Sequence, residues 1–217
     1  MSENSLTVSF GNFISLETNQ KIQDLADSIE QNPFDGLVEI VPAYCSLTVF
    51  FNLISVKKNY SEFPTAFLAV KTFLENALDN LSEKEKPKSR EIEILFDSRD
   101  EFALDLEYIS EATKISKEEI IEIFTSKIYR VFMLGFLPGF AYMGEVDERI
   151  AVPRKENPRL KVPKGSIGIA GNQTGIYPLE SPGGWQIIGR TDTGLFTPDN
   201  EHPTFFQAGD LVKFTAK

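Results

Sequence analysis

VFMLGFLPGFAYMGEVDERIAVPRKENPRLKVPKGSIGIAGNQTGIYPLESPGGWQIIGRT, residues 131–191, concentrates glycine, proline, aromatic and basic residues in one unbroken stretch. Glycine serves where φ is positive or a neighbour must come close, and proline pins φ near −65°, so this density prescribes many turns of defined shape. Short β-type pieces alternate with those turns: YRVFML (129–134), GSIGIA (165–170), GWQIIGRT (184–191) and, further on, LVKFTA (211–216). Strands at such spacing, broken by Gly/Pro punctuation, predict an antiparallel barrel or sandwich.

Upstream, the pattern changes. Residues 5–10, SLTVSF, alternate as a strand does, and Ser15 offers an N-cap to a helix whose apolar residues Ile22, Leu25, Ala26 and Ile29 recur at helical spacing. NPFDG (32–36) marks a turn, Leu37 to Val41 a short strand and Leu47 to Ile54 a second one. Pro64 opens a helix running through Phe67, Leu68, Lys71, Leu74, Leu78 and Leu81. With a closing strand at Ile92 to Phe96, the order β-α-β-β-α-β matches a ferredoxin-like layout. The charged run SEKEKPKSR (82–90) reads as a linker. Two helical patterns follow in ALDLEYISEATKISKEEIIEIFTS, the second capped by Ser116 with Glu119 three residues on. The predicted fold class is therefore α+β: a small ferredoxin-like α/β N-terminal domain over 1–84 and a strand-rich antiparallel domain, barrel or sandwich, over 85–217.

A chain of 217 residues, 41% hydrophobic and 25% charged, can bury one sizeable core or two small ones. Its apolar runs are too short and interrupted to span a bilayer, and its N-terminus lacks a signal-peptide pattern, so the expected address is the cytoplasm, with no membrane partner. Cys45 is the single cysteine, which excludes an internal disulfide framework and a cysteine-built metal site. The net charge of −10 is uneven: residues 1–127 hold 12 basic and 23 acidic side chains, residues 128–217 hold 10 and 9. An acidic chain repels a phosphate backbone, so no nucleic acid is expected as a partner.

No GxxxxGK[ST], GxSxG or HExxH motif occurs, and the one histidine, His202, reads as a loop residue. No metal is expected. Chemistry then falls to carboxylates, arginines, amides and backbone N–H groups, or is shared with another chain. Arg149, Arg154, Lys155, Arg159, Lys161 and Lys164 gather with only Glu156 among them. They read either as a solvated loop or, held between Pro153, Pro158 and Pro163, as an anion site. Gly165, Gly168, Gly171 and Gly175 bracket Asn172, Gln173 and Thr174, which suits a small polar ligand or simply a set of β-turns. Trp185 follows the tight SPGG turn. Arg190 lies within the apolar QIIGRT and needs an anionic partner if buried.

Taken in order, GFLPGFAYMG, AVPR, NPR, VPKGSIGIAG, QTGIYPLESPGGWQIIGRT and AGDLVKF resemble the family of 5-oxoprolinase B subunits, also called allophanate hydrolase subunit 1 or carboxyltransferase subdomain C/D, which includes an inhibitor of a sporulation sensor kinase. The resemblance covers 128–217 closely and reaches the N-terminal half through VSFGNFISLETNQKIQDLA and EIVPAYCSLTVFF. It implies that the C-terminal domain is a cyclophilin-like antiparallel β-barrel. It further implies ATP-dependent opening of 5-oxo-L-proline to L-glutamate by a complex of A-type, B-type and C-type 5-oxoprolinase subunits. This chain would be a non-autonomous member of that complex, with ATP held with or by its partners. By position, the implied substrate- or anion-binding residues are Arg154, Arg159, Gln173, Thr174, Tyr177, Trp185 and Arg190. The arginines would hold carboxylate or phosphate, Gln173 and Thr174 the lactam polar atoms, and Tyr177 or Trp185 an apolar wall. The kinase-inhibitor relatives imply an alternative, a regulatory protein that blocks autophosphorylation of a sensor histidine kinase. Three positions depart from the family pattern: Phe124-Thr125 stands where a His-Thr or His-Ser pair is usual, Cys45 where VPAYRS is often read, and Ala103–Leu106 where a GPDL stretch is read.

Overall fold

The computed structural model describes residues 3–12, 15–81 and 89–217. They form two compact units, one within 1–88 and one within 89–217. Residues 82–88, most of the expected linker, lie outside the described residues.

In the first unit the chain runs β1 (Ser5–Ser9), α1 (Leu16–Gln31), β2 (Leu37–Pro42), β3 (Ser46–Phe51), α2 (Leu53–Asn59) and α3 (Ala66–Asp79). Three caps start the helices as side-chain chemistry requires. Ser15, Asn52 and Thr65 each accept a backbone N–H three residues on, from Thr18, Ser55 and Leu68. The cap at Asn52 explains why the strand expected to reach Ile54 ends at Phe51: a short helix, α2, begins there instead. The sheet is antiparallel in the order β1-β3-β2. Its inner face, with Leu47, Val49 and Phe51, packs on Ile22, Leu25 and Ile29 of α1 and Val70 and Leu74 of α3.

The closing strand expected for this sheet exists but is used elsewhere. β4 (Glu91–Phe96) lies in the second unit, paired in parallel with the last strand, β12 (Leu211–Ala216). The reason is apolar burial, because Ile94 and Phe96 are completely enclosed among second-unit residues such as Phe124, Tyr129 and Phe214. The α+β class holds, while the first sheet has three strands. At the start of the parallel pair, Arg90 donates to both oxygens of the buried Asp210 carboxylate and to the Phe205 carbonyl.

Between β4 and β12 the second unit contains α4 (Leu106–Thr113), α5 (Lys117–Thr125), β5 (Ile128–Leu134), β6 (Ala141–Gly144), β7 (Arg159–Val162), β8 (Ser166–Ala170), β9 (Gln173–Ile176), β10 (Ser181–Gly183) and β11 (Gln186–Arg190). Seven strands make one sheet in the order β11-β8-β9-β6-β5-β12-β4, antiparallel throughout except for β12–β4. Its two ends meet. Asp97, just past β4, exchanges both backbone hydrogen bonds with Arg190 of β11, at 2.8 and 2.9 Å, and the sheet is thereby almost closed into a barrel. β7 and β10 form a separate antiparallel pair.

Phe124 is fully buried. It stacks on Tyr129 at 5.0 Å, touches Phe214 at 4.9 Å, and its carbonyl accepts the Tyr129 hydroxyl at 2.8 Å. It is a core residue of the α5–β5 corner.

Barrel closure depends on a missing side chain. A Cβ at Gly189 would stand 2.5 Å from the Phe96 ring and 2.7 Å from the Asp97 carbonyl oxygen, and neither the packed ring nor the bridged backbone can withdraw. Gly189→Ala is expected to destabilise the second unit by about 1–3 kcal/mol through overpacking. A urea titration should show a lower midpoint with an unchanged slope; an unchanged midpoint would show that the closure is loose.

Candidate functional site

Strand alternation divides the barrel sheet into two faces. Ala141, Met143, Ile167, Ile169, Ile176 and Ile188 point into the main core, whereas Phe140, Ala170, Tyr177, Trp185 and Ile187 make a second apolar cluster, completed by Val162 of β7. Two glycines, Gly168 and Gly175, are direct partners across β8 and β9 on this second face. They leave bare sheet on which rings can lie: a Cβ at Gly168 would come within 2.9 Å of the Trp185 Cβ.

Phe140 is the hub of the cluster. It meets Trp185 at 5.4 Å, Tyr177 at 5.2 Å and Tyr142 at 4.8 Å, all edge-to-face, the arrangement that ring quadrupoles favour. Phe136, 60% exposed, extends the cluster outward, edge-on to Phe140 at 5.6 Å. Its φ of 67° is left-handed, uncommon for a residue other than glycine, and is held in a tight loop where Leu137 N–H bonds the Gly135 carbonyl and Phe140 N–H the Leu137 carbonyl. Tyr177 and Trp185 are 1% and 4% exposed, so the surface a ligand meets is formed by Phe136, Leu137 and Tyr142, with the other rings as its floor.

Charge enters from the 153–159 segment. Burial pushes the Tyr142 and Tyr177 phenols above their ordinary pKa, and the positive charge of Arg154 acts against that on both. Arg154 is exposed and has no carboxylate partner among the described residues. Its neighbours hold it in place: the Pro153 carbonyl accepts from the Gln186 amide at 3.1 Å, and Lys155 N–H donates to the Gly184 carbonyl at 2.7 Å.

Beneath this rim lies a buried ion cluster. The Asp105 side chain is 3% exposed and accepts from Lys155 Nζ at 2.7 Å, from both Arg159 terminal nitrogens at 2.6 and 2.7 Å, and from Ile187 N–H at 2.7 Å. Asp105 occupies the N-cap position of α4 without capping it; its oxygens are spent on these donors instead. Burial raises its pKa, and the bonds from Arg159, Ile187 N–H and Lys155 outweigh that, leaving the carboxyl below its usual value.

The structure thus brings Arg154, Tyr177 and Trp185 together. Arg159 is near them but its guanidinium already holds a carboxylate, that of Asp105. Thr174 is fully buried and its hydroxyl donates to the Gly168 carbonyl at 2.9 Å. Gln173 is half-buried at the end of β9 opposite Tyr177, paired with Gly144 and Ala170. Arg190 lies at the other end of β11 from Gln186, its guanidinium 4.6 Å above the Phe102 ring. The three guanidiniums therefore do not share one set of contacts. Phe136, Phe140, Tyr142 and Asp105 went unrecognised in the sequence. The first three stand in the quoted stretch as ordinary aromatics, and Asp105, between two leucines at a helix start, looks like a cap.

Among the described residues no group of three His, Cys, Asp or Glu side chains is gathered for a metal ion, and no helix is long and apolar enough to cross a membrane.

The chain as a whole is similar to known proteins. The family model for the carboxyltransferase domain, subdomain C and D, matches residues 1–206. A Bacillus subtilis protein named as the B subunit of 5-oxoprolinase is 41% identical over 215 residues, 99% of this chain and 90% of that protein. An Escherichia coli O157:H7 protein of the same name is 35% identical, over 93% of this chain and 87% of that one. The crystal structure of TTHA0988 superposes with a TM-score of 0.82 at 30% identity; the match covers 98% of this chain and 39% of that longer one.

Asp105→Asn keeps the shape but leaves two cations facing a neutral amide. Losing one partner of a buried ion pair costs about 3–5 kcal/mol, so a comparable destabilisation is expected in urea denaturation. Because the folded carboxyl titrates below its unfolded value near 3.9, its contribution is complete above that pH and fades as pH falls further. The deficit of the Asn variant should therefore shrink below about pH 4; a deficit independent of pH would assign the effect to packing alone.

Proposed function

Since the chain belongs to the carboxyltransferase domain family, subdomain C and D, we propose that it acts as the B-type component of an ATP-dependent 5-oxoprolinase, opening 5-oxo-L-proline to L-glutamate together with A-type and C-type partners. The observation that carries this reading is Arg154, a cation without a carboxylate partner among the described residues, held at the rim of an aromatic patch. 5-Oxoproline has a carboxylate, a flat apolar ring edge and one lactam amide. A guanidinium whose charge acts on Tyr142 and Tyr177, in a cluster that Phe136 extends outward, matches the first two, by charge-assisted hydrogen bonds and by apolar contact. In this reading Tyr177 and Trp185 support the wall from beneath. Gln173 is the residue proposed to reach the lactam, and Arg159 and Lys155 act through Asp105 to position the segment that carries Arg154. Thr174 and Arg190 are assigned no ligand contact.

A triphosphate fits these residues poorly. Arg149 is bound to Asp147, and Lys155 and Arg159 are bound to Asp105, so one rim guanidinium would face several phosphate charges. ATP is accordingly assigned to the partner proteins of the complex. The alternative, inhibition of a sensor histidine kinase, rests on the sequence resemblance alone.

The test is co-expression with neighbouring A-type and C-type subunits, with glutamate release from 5-oxoproline measured in the presence and absence of ATP. Release is expected only with ATP and only when this chain is included. Arg154→Ala should raise KM for 5-oxoproline about tenfold or more while the complex still assembles. No release and no association with either partner would overturn the proposal.

A further inference from the structure

The sheet of the first unit stops at β1, which pairs only with β3 among the described strands. The bonds Phe51 N–H to the Asn4 carbonyl, 2.9 Å, and Phe10 N–H to the Cys45 carbonyl, 2.8 Å, mark residues 4 and 10 as hydrogen-bonded positions of that ladder. Such positions alternate along an antiparallel strand. The backbone groups of Leu6 and Val8 therefore also face β3, and the N–H and C=O groups of Ser5, Thr7 and Ser9 point to the open edge. Exposed edges are normally blunted by charges, prolines or bulges. The β1 sequence SLTVS has no charge or proline, and its register with β3 runs without interruption.

Beside this edge is a groove of about 760 Å³ whose lining includes Leu6, Val8, Phe67, Lys71, Leu74 and Leu78. Leu6 and Val8 turn toward the helices yet are only half-buried, and Phe67 of α3 is 54% exposed. A further strand beside β1 would cover all three. The chain's next strand, β4, is committed to β12 and cannot serve.

Charge selects the occupant. Residues 1–81 carry ten acidic and four basic side chains. At the groove itself Lys71 and Glu75 are paired at 3.4 Å, so the excess belongs to the unit as a whole: a second copy carries the same net negative charge, whereas a basic segment is drawn toward it. We infer that the β1 edge and its groove receive an extended strand of a partner polypeptide, one that alternates apolar residues, laid over Leu6, Val8 and Phe67, with lysine or arginine. This is strand addition, in which backbone bonds supply affinity and alternate side chains supply specificity. It stands independently of the proposed enzymatic role.

The experiment titrates the full chain with three fluorescein-labelled heptapeptides, followed by anisotropy: alternating Lys and Val, alternating Glu and Val, and the Lys/Val composition with its alternation scrambled. The alternating Lys/Val peptide is expected to bind at least tenfold more tightly than the other two. Thr7→Pro removes an N–H that points away from β3, and Phe67→Asp removes the apolar contact; each should weaken binding at least tenfold. In the unmodified chain, amide exchange at Ser5, Thr7 and Ser9 should slow at least tenfold on peptide binding. Equal affinity for the three peptides, or binding indifferent to both substitutions, would overturn the inference. Should both variants unfold, exchange in the unmodified chain decides, and unaltered rates at those three amides overturn it. A dimer in sedimentation velocity that Thr7→Pro dissociates would also overturn it, because the edge would then belong to a second copy.

Discussion

A carboxylate removed from water has to be met by donors, and in the second unit that need is concentrated at Asp105. Two cations and one amide converge on its two oxygens, and they come from separate parts of the chain: Lys155 from the proline-rich segment, Arg159 from β7 and Ile187 from β11. The start of α4, the β7–β10 pair and the edge of the barrel are consequently tied at one point. A buried ion pair is weak evidence for net stability, since well-packed apolar residues can do as well. Its value here is positional. It fixes the segment on which Arg154 is carried, so this rim cation near the aromatic cluster is presented from a rigid base.

The aromatic cluster depends on what is absent from the sheet. Between β8 and β9 the facing pair is Gly168 and Gly175, and the lack of two Cβ atoms lets Phe140 and Trp185 lie against the strands. The apolar face turned away from the main core thus becomes a second small core with an open rim, where Phe136 is kept exposed in an uncommon backbone conformation. Exposed aromatic area beside a held guanidinium is the combination expected of a small-ligand or partner contact.

In the first unit the same rules leave β1 paired on one side only among the described strands. The helices and strands arise from local signals, with Ser15, Asn52 and Thr65 capping the three helices. The layer order β-α-β-β-α would ordinarily be completed by one more strand. That strand, β4, is drawn into the other unit because its two inward residues, Ile94 and Phe96, find a larger apolar core there.

By itself, the sequence determined the α+β class, the caps of α1 and α5 at Ser15 and Ser116, the helical spacing of α1 and α3, the strand-rich character of the second half and the family, whereas Pro64, expected to open α3, lies one residue before its actual cap, Thr65. Periodicity, turn chemistry and an ordered motif string are local properties. The tertiary structure alone decided the partner of β4, the second face of the barrel sheet, and the fate of each charged side chain. Arg159, Arg190 and Arg154 are all candidate anion-binding residues in the sequence, yet one is neutralised by a carboxylate 54 residues away, one lies on a phenylalanine ring, and one is left at the rim. Those differences come from contacts between residues far apart in the chain, where free energy is set by burial and by which donor reaches which acceptor, and no short pattern encodes them.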